Sequence, residues 1–183
     1  MPGFFKGAIM GREISYGLSR LYYAVISESG YLTPKPLPGA VKISLAPEEH
    51  VLTFTGLDCI PREVCFAVYG YKGTVTLAGL TANFYEDIYG YTPVAGGYTE
   101  KVSSAVTSCA LLFETSGEPV SRHCYYSCKF GAHEFTAETK GQNVNVAAVA
   151  VPVTVRSLAN GDIRRINTEP GSEAFENWFK EVK

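Results

Sequence analysis

Apolar and polar positions alternate with a period of two along much of this chain. Val41, Ile43 and Leu45 are separated by Lys42 and Ser44, the signature of a strand with one buried face. Leu21–Ile26, Val51–Thr55, Glu63–Tyr69 and Gly73–Leu77 are β-branched or aromatic and read as further strands. Between the first two lies Thr33–Gly39, whose three prolines cannot donate to a ladder, so it is expected to be an extended connection outside the core. Val106–Thr115 puts Thr107, Cys109, Leu111 and Phe113 on one face. After a turn at Ser116–Pro119, His123–Phe130 returns as a hairpin partner with Cys124, Tyr126, Cys128 and Phe130 on one face. Phe135–Thr139, a turn at Lys140–Asn143 and a long strand Val144–Ser157 follow. Pro152 makes that strand an edge, a bulge or a break, and Asn160-Gly161-Asp162 signals a hairpin turn.

The period changes twice. Leu80–Gly90 reads as a short helix with Thr81 as N-cap, Gly90 as its stop, and Phe84, Tyr85 and Ile88 on one face. Tyr91–Gly97 is a loop. At the end, Ser172 caps a helix over 172–182 in which Phe175, Trp178, Phe179 and Val182 form one apolar stripe that must dock on something. The expected fold is mainly β, a sandwich or barrel with a flanking helix and a C-terminal helix.

Composition narrows what such a fold does. The 183 residues suit one domain, with 46% hydrophobic and 19% charged residues, 12 Tyr and 10 Phe. Intrinsic disorder is excluded, since it needs low hydrophobicity and high charge. Sixteen Lys and Arg against eighteen Asp and Glu show no general basic excess for gripping nucleic acid. No apolar run approaches the ~18 residues of a membrane helix. The first ten residues, interrupted by Lys6, do not resemble a signal peptide, so synthesis in the cytoplasm is expected. Cys59, Cys65, Cys109, Cys124 and Cys128 are an odd set and are read as reduced thiols.

Chemistry is sparse. His123, Cys124, Cys128 and His133 include zinc's preferred ligand types, but on a continuous strand the two thiols would stand ~13 Å apart, so no metal is expected. His50, His123 and His133 sit in no catalytic signature. Neither a nucleophile elbow nor a phosphate-binding glycine loop occurs. The residues favour a structural or binding protein without catalytic residues or cofactor.

Several segments, in order, resemble one family. They are Gly17-Leu18-Ser19-Arg20-Leu21-Tyr22-Tyr23-Ala24, Leu37-Pro38-Gly39-Ala40-Val41 and Gly73–Leu80 leading into the helix. Cys128-Lys129-Phe130 with Glu138-Thr139-Lys140-Gly141, and the closing helix with Trp178-Phe179, complete the series. The chain is similar over about nine-tenths of its length to the major tail proteins, or tail-tube proteins, of long non-contractile-tailed phages of Gram-positive bacteria. It departs from them in its N-terminal extension and its five cysteines.

The resemblance implies a β-sandwich whose copies form six-fold rings, stacked into a hollow virion tail tube that conducts double-stranded DNA into the host. Partners would be further copies, the tape-measure and tail-terminator proteins, and DNA in transit. No cofactor, metal or membrane is implied, and the subunit would sit in the host cytoplasm before assembly. On this reading residues 1–16 are an N-terminal arm and 17–183 the tube domain. Phe4, Phe5 and Ile9 of the arm, and Leu52, Phe54, Leu57 and Ile60 around a loop at Ala46–Pro61, are candidate inter-subunit contacts. Leu52 and Phe54 fit a subunit core equally well. Thr107, Ser108, Glu114 and Ser127 are candidate lumen residues. The lumen is expected to be neutral or acidic so that DNA slides, and a strongly positive one counts against a conduit. Alternatives are a type VI secretion-like tube subunit, a monomeric β-barrel holding a small apolar ligand, and a zinc enzyme on the His/Cys group.

Overall fold

The computed structural model describes residues 14–55, 61–135 and 148–183, with backbone alone at 14–16, 51–55 and 61–66. The expected mainly-β class holds. The strands are β1 (Ile14–Ser27), β2 (Gly30–Tyr31), β3 (Lys35–Pro36), β4 (Ala40–Thr55), β5 (Pro61–Leu77), β6 (Thr92–Val94), β7 (Gly97–Thr99), β8 (Cys109–Glu118), β9 (Ser121–Phe130), β10 (Val149–Arg156) and β11 (Arg164–Asn167). The helices are α1 (Ala82–Tyr89) and α2 (Glu173–Glu176). One antiparallel sheet runs β2-β1-β8-β9-β10-β5-β4, with β3 beside β1 and β11 beside β9. The small β6-β7 ribbon stands apart, inside the segment expected to be loop.

The sheet folds over so that its two ends enclose one core. Leu21 and Tyr23 of β1, Leu111 and Phe113 of β8, and Val75, Leu77, Val151, Val153 and Val155 of β5 and β10 are all buried in that cluster. The proline-rich stretch closes the gap between the ends. Leu37 N–H donates to Leu21 O at 2.8 Å, and Ala78 N–H donates to Gly39 O at 2.7 Å. Leu37 is fully buried, so this stretch is core as well as connection, against expectation. Its exposed prolines need no partner, while Leu37 fills the seam.

α1 plugs one end of the core. Thr81 Oγ1 accepts from Phe84 N–H at 3.3 Å, and Gly90 ends the helix at φ 65°. Phe84 packs edge-on against Tyr23 and Phe130, with ring centres 5.2 and 5.1 Å apart. Tyr23 Oη donates to Asp87 Oδ2 at 2.8 Å, and Lys35 Nζ reaches the same oxygen at 2.6 Å.

β9 departs from simple alternation. Cys109 faces Cys128 and Leu111 faces Tyr125, so two β9 residues, Tyr126 and Ser127, oppose Ala110 alone. This bulge reverses side-chain parity. Tyr125, Cys128 and Phe130 enter the inner core, while Cys124 and Tyr126 point to the outer face with Ala24, Ala110 and Leu112. The single face expected for Cys124, Tyr126, Cys128 and Phe130 is therefore corrected. The expected face of Cys109, Leu111 and Phe113 is present, whereas Thr107 precedes the strand.

Three boundaries also move. β8 runs through Ser116 and Gly117 because β1, starting at Ile14, pairs with them. The expected N-terminal arm thus gives its last residues to the sheet. The Asn160-Gly161-Asp162 turn forms, but its flanking strands do not pair with each other. β10 and β11 both pair with β9, end to end, and 157–163 is an excursion between them. Pro152 leaves β10 unbroken. Gly131 N–H donates to Pro152 O at 2.8 Å, so the missing N–H of Pro152 faces past the end of β9, where no ladder bond is lost.

The C-terminal segment docks on the outer face as its stripe demands, though α2 spans one turn and turns carry the chain on to Lys180. Trp178 is buried and its Nε1–H donates to His123 O at 3.3 Å. Arg122 forms the clasp. Its Nε lies 2.7 Å from Glu114 Oε2, its Nη1 donates to the Phe175 carbonyl, and its guanidinium stacks 3.7 Å from the Phe175 ring centre. Burial alone would raise the Glu114 pKa. Hydrogen bonds from Arg122 and Ser19, with the charges of Arg122 and Arg20, outweigh it and hold the carboxyl below its usual range.

Two measurements test this packing. A depressed native pKa means the clasp contributes stability above the unfolded pKa and loses it as pH falls through the native value. Urea midpoints are expected to fall with acidification in wild type and to fall less in Glu114→Gln, whereas Arg122→Ala should cost about 3 kcal/mol at neutral pH by orphaning a buried carboxylate. At Gly73 an added Cβ would lie 1.8 Å from the Ser44 carbonyl oxygen. Gly73→Ala should therefore lose about 2 kcal/mol of unfolding free energy through overpacking, and an unchanged melt would contradict this strand contact.

Candidate assembly surface

β4 and β5 form a hairpin longer than the body needs. β10 lines the far edge of β5 only from Gly70 to Leu77. Beyond it, Glu49 to Thr55 pair with Val68 to Pro61 and, among the described residues, with no other strand. The seven β4 residues reach about 23 Å past the sheet at ~3.3 Å each. A two-stranded ribbon is marginal alone in water. Val68 and Tyr69 at its base are exposed, and Val51 stands opposite Phe66 and Leu52 opposite Cys65 in the register. The expected loop at Ala46–Pro61 is thus strand as far as Thr55. Leu52 and Phe54 lie on this ribbon, while Leu57, Ile60, Phe4, Phe5 and Ile9 lie outside the described residues. β4 is also a sheet edge along its 16 residues, with unpaired backbone groups on its outer side among the described residues.

Behind that edge, the outer face of β9-β10-β5-β4 carries no helix or strand among the described residues. Its rows follow from the register. Ala46, Lys72, Thr154 and Lys129 form one row. Glu48, Gly70, Arg156 and Ser127 form the next. Ser44, Thr74 and Pro152, and then Lys42, Thr76 and Ala150, complete it. The opposite side of the same strands holds the core valines, so a period of two divides an apolar interior from a hydroxyl-rich exterior.

The expected lumen residues do not all meet here. Ser127 stands on this face and Ser108 borders it, together with Lys129, Thr154 and Arg156 around a shallow depression. Thr107 lies instead at the end of α1, its N–H donating to Ile88 O at 2.8 Å. Glu114 is on the other outer face, held by Arg122 beneath the C-terminal segment. Lys42, Lys72, Lys129 and Arg156 were not singled out by sequence. Their alternation with apolar residues was visible, but only the register aligns them.

A second surface surrounds α1. Tyr85 stacks between Tyr91 and Tyr98, with ring centres 5.4 and 4.4 Å away, and its hydroxyl is 3.2 Å from His133 Nε2. These rings line a cleft of about 430 Å³ beside the exposed side chains of Val102 and Phe135. The four side chains weighed as zinc ligands are dispersed. His123 stacks on Phe113, Cys124 lies under the C-terminal segment, Cys128 is in the inner core, and His133 is beside Tyr85. No group of three metal-binding side chains occurs among the described residues. No helix among them is long and apolar enough to cross a membrane.

No family model matches this chain, and no similar sequence is found among curated proteins.

The core thiols offer a check on the bulge. Burial pushes Cys124 up to about 12 and raises Cys109 and Cys128 as well, so all three stay protonated near neutrality. Iodoacetamide at pH 8 followed by peptide mapping should leave these three unmodified in the native protein and label them in guanidinium. Native labelling of Cys128 would place it outside the core.

Proposed function

We propose that this protein is a structural subunit that self-assembles into stacked six-fold rings, forming a virion tail tube through which double-stranded DNA passes. The observation that carries the reading is β4, a 16-residue sheet edge that continues into a ribbon beyond the body. Such an edge invites association unless it is covered. In a ring, each copy would present one edge to a different surface of the next, a heterologous contact that closes on itself. The ribbon would reach a neighbouring copy, and the open β9-β10-β5-β4 face would form the wall. The ordered sequence resemblance to tail-tube proteins selects a tube from among such assemblies.

Removing the ribbon tests this without removing core. Replacing residues 50–67 with an Asn-Gly turn should leave a cooperatively folded monomer that forms no rings or tubes in negative stain, whereas the intact chain forms them as concentration rises. Rings from the shortened chain, or an intact chain that stays monomeric at every concentration, would contradict the proposal.

A further inference from the structure

The uncovered sheet face is more basic than the chain as a whole. Its rows hold Lys42, Lys72, Lys129 and Arg156 against one carboxylate, Glu48, although the full chain carries a formal charge of −2. Glu48 is already ion-paired with Arg156. Among the described residues, no carboxylate lies within ion-pair distance of Lys42, Lys72 or Lys129. All three are exposed. Lys72 and Lys129 share a row two strands apart, roughly 10 Å at the ~4.8 Å spacing of neighbouring strands. Between and around them stand Ser44, Thr74, Thr76, Thr154 and Ser127, which are short hydroxyl donors on a rigid sheet.

The chemistry of this face is selective. The core of a protein interface is apolar and aromatic, and these rows hold no large apolar side chain. A membrane-surface site needs apolar anchors beside its cations, and none is present in the rows. Unpaired lysines with hydroxyls between them match a chain of phosphates.

We propose that the outer face of β9-β10-β5-β4 binds the phosphate backbone of duplex DNA without sequence preference, through Lys42, Lys72 and Lys129. The inference takes from the tube reading only the identity of the polyanion as duplex DNA. It revises the expectation of a neutral or acidic wall. Three cations per chain neutralise a small part of a duplex that carries a charge every ~1.7 Å, and contacts of this kind allow sliding along the backbone. The wall would attract DNA and still let it move.

The test is fluorescence anisotropy of a labelled 30-base-pair duplex of arbitrary sequence against the full chain, from 50 to 200 mM NaCl. With a slope of ~0.9 per neutralised phosphate, three contacts predict about 40-fold weaker binding across that range. Lys72→Glu/Lys129→Glu should weaken binding at least tenfold at 50 mM, and the milder Lys72→Gln/Lys129→Gln should weaken it in the same direction. Lys101→Glu, near the tyrosine cleft, should leave binding unchanged. Circular dichroism melts of each variant establish that it is folded. Salt-insensitive or absent binding, an equal loss in Lys101→Glu, or equally tight binding of poly-glutamate would overturn the assignment. Ring formation by the same samples in negative stain is scored separately, so a failed DNA interaction and a failed tube reading are distinguishable.

Discussion

The extra residue in β9 is the constraint on which the rest of the structure depends. A strand of strict alternation would commit the same residues to one face throughout its length. By opposing Ala110 with both Tyr126 and Ser127, β9 changes parity part-way. Its first half sends Cys124 and Tyr126 outward to receive the C-terminal segment, while its second half sends Cys128 and Phe130 inward against α1. The same strand gives one edge to β8 and divides the other between β10 and β11. It thereby belongs to both halves of the folded-over sheet. The half containing β1 and β8 is covered outside by Trp178 and Phe175. The half containing β10, β5 and β4 keeps an open outer face.

That division separates stability from association. The C-terminal segment satisfies the outer face it covers, with Arg122 bonded to Glu114 and to the Phe175 carbonyl beneath the aromatic ring. The other outer face needs no cover, because its rows are hydroxyls, small residues and cations that water can solvate. What remains unsatisfied is directional: the backbone edge of β4 and the ribbon beyond Gly70. Both lie at one end of the sheet order, where another copy of the chain could add to it.

Local pattern revealed local structure and stopped at register. Thr81 and Gly90 marked the ends of α1 because capping is settled by neighbours in sequence. Ser172 and the stripe from Phe175 to Val182 likewise marked a docking segment, although only one turn is regular helix. The bulge escaped because Tyr125-Tyr126-Ser127 contains no glycine or proline, and parity is set by the partner strand. Leu37 escaped because the prolines around it suggested an exposed connection, while the closure of the sheet buries it. The candidate site divided in the same way. Ser127 was visible as a polar strand position. Glu114 looked equally polar, but is enclosed by a segment some sixty residues later in the chain. The alignment of Lys72 with Lys129 required the order of β5, β10 and β9, which no single segment encodes.

The central claim is that β4 is an edge completed by another copy of the same chain. A cryo-EM reconstruction of the purified intact chain at high concentration tests it most directly. The account predicts closed six-fold rings in which the outer edge of β4 is hydrogen-bonded to a neighbouring subunit and the β9-β10-β5-β4 face lines the bore. Particles that remain monomeric, or rings in which the β4 edge faces solvent, would contradict it.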